Sequence, residues 1–384
     1  MPKTKVLHII TRMDWGGSPD VVKQLFRLLP KEDFQQHLIC GRTDFPNLDT
    51  KGFFKEFAGQ ITFLPSLRRR INPFRDCFAL FKICGILSKI KPDIVNTHTA
   101  KAGALGRLAS FLTKHKKVIH IPHGHNLYGY FGKFFSWSIA NIERLLSKFS
   151  LRIVVFTELE KRDMLENRIA EAGQIKVIRP AIDMIPEINQ AQRQEFKSQF
   201  GIKSGSYLVG TVTRLESVKG AEYFIEAALE VLTRRDDVYF LVVGEGALRS
   251  ALQRRINAAG KEKKIIFTGW RDDAVILMQL MDILVQPSLN EAVGKVLLEA
   301  QSLGVSVIAT RTGGIPEFVT DQVTGILVSP ADTEQLVSAI LGLLKEDKKR
   351  SAISQAARSW ARDNFSARTM VSAIATIYKE ELLK

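Results

Sequence analysis

Short apolar runs alternate along this chain with longer stretches whose apolar residues recur at helical spacing. In the first half, Lys5 to Ile10, Pro92 to His98, Lys117 to His123, Leu151 to Phe156 and Ile175 to Arg179 read as strands. In the second half, Leu208 to Thr213, Tyr239 to Val243 and Ile265 to Trp270 do so, and the run Ala274 to Pro287 closes on another. Helices are expected over Val21 to Leu29, Phe74 to Ile90, Lys133 to Phe149 and Ala221 to Leu232, from about Gly294, and over Ala367 to Leu383. Ser18 reads as the first helix's N-cap, with Pro19 in the first helical position and Asp20 in the first turn. Strand and helix in alternation predict an α/β fold of open parallel sheets, whose ligands lie beyond the carboxyl ends of the strands. Pro180-Ala-Ile-Asp183 leads into a polar stretch, Asn189 to Ser198, that reads as a linker or hinge. The expected division is 1–188 and 189–363, with 364–384 as a closing helix.

At 384 residues the chain is long for one core and suits two domains of roughly 200 residues or fewer. No apolar run is long enough to span a bilayer, and the apolar part of Met1 to Ile10 is too short for a signal peptide. Cys40, Cys77 and Cys84 lack metal-ligand spacing and read as core thiols of a protein kept in a reducing compartment. Charge changes the picture more. Residues 1–185 hold 30 Lys and Arg against 16 Asp and Glu, leaving 25 against 24 for the remainder of a chain whose totals are 55 and 40. Arg75, Lys82 and Lys89 recur at every seventh position of one expected helix, opposite Cys77, Leu80, Cys84 and Leu87, with Phe78 and Ile86 flanking the stripe and Arg68-Arg-Arg70 preceding it. In Lys133 to Phe149, the residues Phe135, Ile139, Ile142, Leu146 and Phe149 form the expected buried stripe, and Lys133, Trp137, Arg144 and Lys148 share the opposite face. A tryptophan among cations on an outward face is the pattern of contact with an anionic membrane, and a solvated basic face is the competing reading. Nucleic acid ranks below both, because no helix-turn-helix, zinc-finger or aromatic RNA-binding signature accompanies the charge.

The chemistry concentrates beyond the strands of the second half. Glu291 falls in the loop before the helix at Gly294 and Glu299 on that helix, so their carboxylates lie on the order of 12 Å apart. That is roughly the span from a hexose across a diphosphate to a ribose, with the N–H groups of Ala292, Val293, Gly294 and Lys295 between them to face phosphate. Arg214 and Lys219 follow an upstream strand, and Gly244, Gly246 and Trp270 follow two more. A helix cap and an exposed helix glutamate are the plain alternative for the two acids taken alone. In the first half Gly16 and Gly17 precede a helix without the G-x-G-x-x-G fingerprint, which argues against NAD or FAD. His98 and His123 end two strands, and His125 competes with His123. No carboxylate cluster places a divalent metal on a diphosphate, so neither metal nor cofactor is expected.

In order and spacing, the Gly16-Gly17 loop, His98-Thr-Ala-Lys-Ala-Gly103, Pro122-His-Gly-His125, the Arg214/Lys219 loop, Val243-Gly-Glu-Gly246, Phe267-Thr-Gly-Trp270, Glu291/Glu299 and Thr312-Gly-Gly-Ile-Pro-Glu317 together resemble the retaining glycosyltransferases of family 4. The resemblance implies a GT-B fold, two Rossmann-like parallel-sheet domains facing a cleft, the N-terminal one binding acceptor and the C-terminal one binding the nucleotide-sugar donor, with the last helix returning to the first domain. It assigns the diphosphate clamp to Arg214 and Lys219, the sugar-contacting acid to Glu291, the ribose acid to Glu299 and an active-site histidine to His123. Gly16, Gly17, Gly244, Trp270, Ala292, Val293, Gly294 and Lys295 complete the expected donor site, and His98, Lys101 and His125 the acceptor side. The chain looks like the bacterial subgroup that builds capsule, exopolysaccharide or O-antigen units from a UDP-sugar, on a polyprenyl-diphosphate-linked or glycan acceptor at the cytoplasmic face of the membrane. It departs from the family at Ala292, where glycine is usual, and alanine would strain a loop that needs a positive φ. A nucleotide-sugar 2-epimerase on the same fold and a non-catalytic nucleotide-binding protein are the competing classes.

Overall fold

The computed structural model describes residues 2–14, 16–44, 46–124, 133–182 and 185–383, the side chains of 133–135 excepted. The chain forms two compact units, Met1–Ala181 with Ala367–Lys384, and Ile182–Ser366. The first runs β1 (Thr4–Ile10), α1 (Gly17–Leu28), β2 (Phe34–Gly41), α2 (Leu48–Glu56), β3 (Ile61–Leu64), α3 (Pro73–Ile90), β4 (Ile94–His98), α4 (Ala100–Leu112), β5 (Val118–Ile121), α5 (Lys133–Ser147), β6 (Arg152–Val155), α6 (Glu158–Glu166) and β7 (Ile175–Val177). The second runs α7 (Gln190–Gln199), β8 (Tyr207–Val212), α8 (Ala221–Arg234), β9 (Val238–Val243), α9 (Arg249–Ala258), β10 (Ile265–Gly269), α10 (Ala274–Leu280), β11 (Ile283–Gln286), α11 (Lys295–Ser302), β12 (Ser306–Thr310), β13 (Ile326–Val328), α12 (Thr333–Lys345) and α13 (Asp347–Asn364). The closing helix α14 (Ala367–Leu382) belongs to the first unit.

Both sheets are parallel, ordered β3-β2-β1-β4-β5-β6-β7 and β10-β9-β8-β11-β12-β13. Strand order therefore reverses direction between β1 and β4 in one unit and between β8 and β11 in the other. These are the switch points at which loops diverge and leave room for a ligand. The central strands carry the core: Leu7, Ile9 and Val95 pack under α3 and α4, while Val209, Phe240 and Val285 pack under α8 and α12. Helix α14 is fastened to its own unit by polar contacts as well as packing. Buried Tyr378 accepts from Asn96 Nδ2, and the fully buried Glu381 pairs with Arg152 at 2.8 Å. A buried carboxylate without such a cation would be expelled or protonated.

Several local expectations are corrected. Helix α1 begins at Gly17 with Gly16 as its cap and no side-chain cap bond, so Ser18 is not the N-cap and Pro19 is the third helical residue. Asn189 to Ser198 is no linker, because Asn189 and Gln192 close a reciprocal capping box that starts α7. Strands β2 and β3 were not anticipated; β2 mixes Gln35, Gln36 and His37 into its apolar run, which hides the strand pattern. Cys40 is buried, and burial pushes its thiol up to about 12, whereas Cys77 is exposed on α3.

Candidate active site

In the second unit, five loops gather at the carboxyl edge of the sheet around β8 and β11. The turn after β8 folds against the loop after β11: Val218 O accepts from Leu289 N at 2.9 Å. Gly220 makes this approach possible, with φ 68 and a Cβ position that would lie 1.9 Å from Pro287 O. The docking carries Lys219 onto Glu291, Nζ to Oε2 at 2.6 Å, between side chains only 12% and 16% exposed. From the other side, Gly313, at φ 53, lies against Glu291 O, which accepts from Gly314 N at 3.0 Å. Thr312 Oγ1 donates to Leu289 O at 2.9 Å. Glu291 is thus set by backbone contacts on both flanks rather than by helix capping.

Helix α11 then opens at Gly294, φ 65, with no side-chain cap, so its first N–H groups and positive dipole end are presented beside Glu291. Glu299 lies one turn in and pairs with Lys295 at 3.0 Å. Ala292 does not lie among the residues with positive φ, so the anticipated strain there is absent; Gly294 takes the left-handed position instead. Val293 packs beside Ile182, Leu298, Phe318 and Phe365, which makes its side chain structural. Arg214, half exposed, pairs with Glu216 at 2.7 Å. Gly244, with φ 135, and Gly246 follow β9 against Thr213 and Leu215, and Trp270 follows β10 with much of its ring exposed.

The first unit's switch point rests mainly on neutral side chains, with the Arg12–Asp14 ion pair, 2.7 Å, in the loop after β1. Thr11, after β1, shares a hydrogen bond with Thr99, after β4, Oγ1 to Oγ1 at 3.0 Å. Thr99 has φ 65 and ψ 163, a conformation nearly reserved for glycine, and His123 has φ 60. Such strain at the carboxyl edge persists only where the surroundings enforce it. Glu160 supplies part of that enforcement, its carboxylate accepting from Gly124 N and Phe156 N, each at 3.2 Å. Glu160 is not among the expected site residues, although Thr157-Glu-Leu-Glu160 is a capping-box signature that marks it in the sequence. His123 Nε2 lies 2.9 Å from His98 Nδ1, and His98 Nε2 lies 3.2 Å from His8 Nδ1. Burial lowers the pKa of all three, His8 to about 3, so the rings are neutral at pH 7.

Two family models match consecutive stretches of the chain, one described as Glycosyltransferase Family 4 over residues 15–184 and one as Glycosyl transferases group 1 over residues 192–360. The chain belongs to glycosyltransferase family 4. It is 28% identical to an Escherichia coli UDP-Gal:α-D-GlcNAc-diphosphoundecaprenol α-1,3-galactosyltransferase, with 98% of this chain and 97% of that protein covered. It is 22% identical to the Staphylococcus aureus capsular polysaccharide biosynthesis glycosyltransferase CapM, with the same coverage. The Anabaena protein HepE in complex with UDP and glucose shares its fold at a TM-score of 0.84 and 20% identity, covering 98% of this chain and 100% of that one. The two parallel-sheet units are accordingly those of the GT-B fold.

Other expected site residues of this glycosyltransferase fall elsewhere. His98 is fully buried and cannot touch an acceptor; it backs His123 instead. Lys101 is held between α4 and α3 by Asp76 Oδ1 and Arg70 O, each at 2.6 Å, and so braces two helices rather than facing an acceptor. Arg144 binds the carbonyl oxygens of Asn167 and Arg168, at 2.7 and 3.0 Å, and is no membrane contact. Ile142, expected inside α5, is exposed, as is Leu145. His125 and the side chain of Lys133 lie outside the described residues. Among the described residues no group of three His, Cys, Asp or Glu is arranged to hold a metal ion, and no helix is long and apolar enough to cross a membrane.

Proposed function

We propose that this glycosyltransferase moves a hexosyl group from a UDP-sugar, with retention of anomeric configuration, to a polyprenyl-diphosphate-linked or glycan acceptor in bacterial surface polysaccharide synthesis. The observation that carries the donor half is the convergence of Lys219, Glu291 and the uncapped end of α11 at the β8/β11 switch point, with Arg214 on the same loop as Lys219. In the reaction the bond from the anomeric carbon to the β-phosphate oxygen breaks, the acceptor oxygen bonds to that carbon on the same face, and the acceptor proton passes to a phosphate oxygen. Negative charge grows on the diphosphate as it leaves. Lys219, Arg214 and the α11 dipole offset it without a metal, which is where electrostatic catalysis acts. Glu291 accepts from sugar hydroxyls, Glu299 from the ribose, and His123 meets a hydroxyl from the first unit's edge. The diphosphate then competes for Lys219 with Glu291, its partner at 2.6 Å, so binding and release of donor re-pair that ion.

The acceptor half rests on two supports, the E. coli relative's named lipid-linked acceptor and the outward face of α3. Phe74, Phe78 and Phe81 stand 89%, 54% and 75% exposed there, with Ile71 before them and Arg75, Lys82 and Lys89 alongside. Apolar rings among cations suit the cytoplasmic surface of an anionic bilayer. Trp137 and Lys148, both exposed on and just beyond α5, join this reading. A second copy docked through the same α3 face would set cation against cation. Sedimentation with anionic vesicles at low salt is expected for the wild type and to be lost in Phe74→Ser/Phe78→Ser/Phe81→Ser; equal sedimentation of both would remove this surface from the proposal.

The donor site is tested by thermal shift with UDP, GDP, ADP and NAD, each with EDTA or magnesium, on the wild type and Glu299→Ala. A ligand at about 100 times its Kd adds about 2.7 kcal/mol. Stabilisation by UDP, indifferent to EDTA and lost in Glu299→Ala, is the expected result. A shift with NAD alone would refute the donor assignment, and an epimer formed from sugar nucleotide without acceptor would refute the transfer.

A further inference from the structure

Behind His123 runs a line of buried side chains whose far end has a fixed direction. Gln36, on β2, points its side-chain nitrogen at Leu25 O and Phe26 O, 3.1 and 3.3 Å away. An amide nitrogen only donates, so these two carbonyls determine which end of the Gln36 amide is oxygen. Gln36 Oε1 is then buried with no bonded partner, and so is His8 Nε2. The two residues share one face of the sheet, since His8 stands opposite Leu38 and Gln36 stands two residues before it. Gln36 is also the side chain that holds up the pKa of His8 against the effect of burial.

We propose that Gln36 sets the tautomer of His123 through His8 and His98, so that His123 meets its ligand with Nδ1 as a bare hydrogen-bond acceptor. Oxygen at Gln36 Oε1 calls for a proton on His8 Nε2. A neutral imidazole carries one proton, so His8 Nδ1 must accept, and the proton between His8 and His98 sits on His98 Nε2. His98 Nδ1 is then bare and accepts from His123 Nε2. The only nitrogen of His123 left over is Nδ1, without a proton. In the opposite polarity Gln36 Oε1 and His8 Nε2 would both be lone pairs, and neither buried atom could satisfy the other beside the Phe26 ring, which lies 5.4 Å from His8. Gln36, His8 and His98 are thus positioning residues, and the ligand class follows. His123 accepts from a hydroxyl and does not donate to a phosphate or carbonyl oxygen.

The assignment concerns the histidine used in the proposed reaction, but its first readout needs no turnover. The full chain, with 15N in the rings of its seven histidines, gives the tautomer of each ring at neutral pH by NMR, assigned with single histidine substitutions. His8, His98 and His123 are all expected to be protonated on Nε2. A proton on Nδ1 of His123 in the wild type would overturn the proposal outright, whatever the variants do. Gln36→Leu should give mixed tautomers at His98 and His123 and a kcat about tenfold lower, one hydrogen bond at the transition state, with donor KM within about twofold. Unchanged tautomers in a folded Gln36→Leu would also overturn it. Failure of the transferase reading would instead appear as no transfer with the Nε2 pattern intact.

Discussion

The two parallel sheets open at equivalent switch points and furnish them with opposite chemistry. Around β8 and β11 the second unit sets ion pairs, Lys219 with Glu291, Lys295 with Glu299 and Arg214 with Glu216. Around β1 and β4 the first unit sets neutral imidazoles and threonine hydroxyls on a strained backbone. All seven histidines fall in residues 1–181, and none in the second unit. One topology therefore carries ion pairs at one switch point and, beside the Arg12–Asp14 pair, mainly hydrogen bonds between neutral groups at the other. A diphosphate leaving group needs charge; a sugar or acceptor hydroxyl needs an oriented acceptor in a dry place.

Removing charge from the second site should have the largest effect. Arg214→Ala is expected to lower kcat by about 10²–10³ with a far smaller rise in donor KM, measured by steady-state kinetics. A rise in KM alone would make Arg214 a simple binding group. Lys219→Ala should cost activity similarly and, by leaving the half-buried Glu291 carboxylate without its cation, lower stability by about 1–3 kcal/mol.

Acid should separate the units next. His8, His98 and His120 are buried with pKa values held down, His8 to about 3, while the unfolded chain takes up protons near pH 6.5. Below that pH the unfolded state binds more protons, so the first unit is at full stability above about pH 6.5 and loses it as pH falls toward the folded values. The slope is at most about 1.4 kcal/mol per pH unit for each ring. Calorimetry between pH 7.5 and 5.5 should show one transition moving down and the other nearly still; equal movement of both would break the contrast. The smallest effect is expected at Ala292→Gly. Since Ala292 needs no positive φ, glycine should leave kcat within about twofold and reduce stability by at most about 1 kcal/mol through added chain freedom.

Much of this was legible in the chain. Short apolar runs gave most strands, and with them the loops that carry Arg214, Lys219, Glu291 and His123, because a strand's end fixes where the next residue emerges. Gly294 at the head of α11 was legible from periodicity alone. The Asn189 helix was misread because its residues are polar all round, and its start is fixed by a capping box rather than by a buried face. The α3 stripe was half read: the cations were placed outward, but Ala79, Ile83 and Leu87 are the buried line, so the phenylalanines join the cations outside.

The sequence by itself determined which residue types stand at the strand ends, the basic surplus of the first half and the family's order of motifs, since these depend on local periodicity and composition. Only the tertiary structure decided who pairs with whom. Lys219 meets Glu291 across 72 positions because β11 lies beside β8, and His8 meets His98 across 90 because β4 lies beside β1. Lys101 and Arg144, expected at a ligand and a membrane, were claimed by neighbouring carboxylate and carbonyl oxygens. Strand order is a property of the whole packed sheet, and hydrogen bonds and ion pairs over such separations exist only once that order has formed.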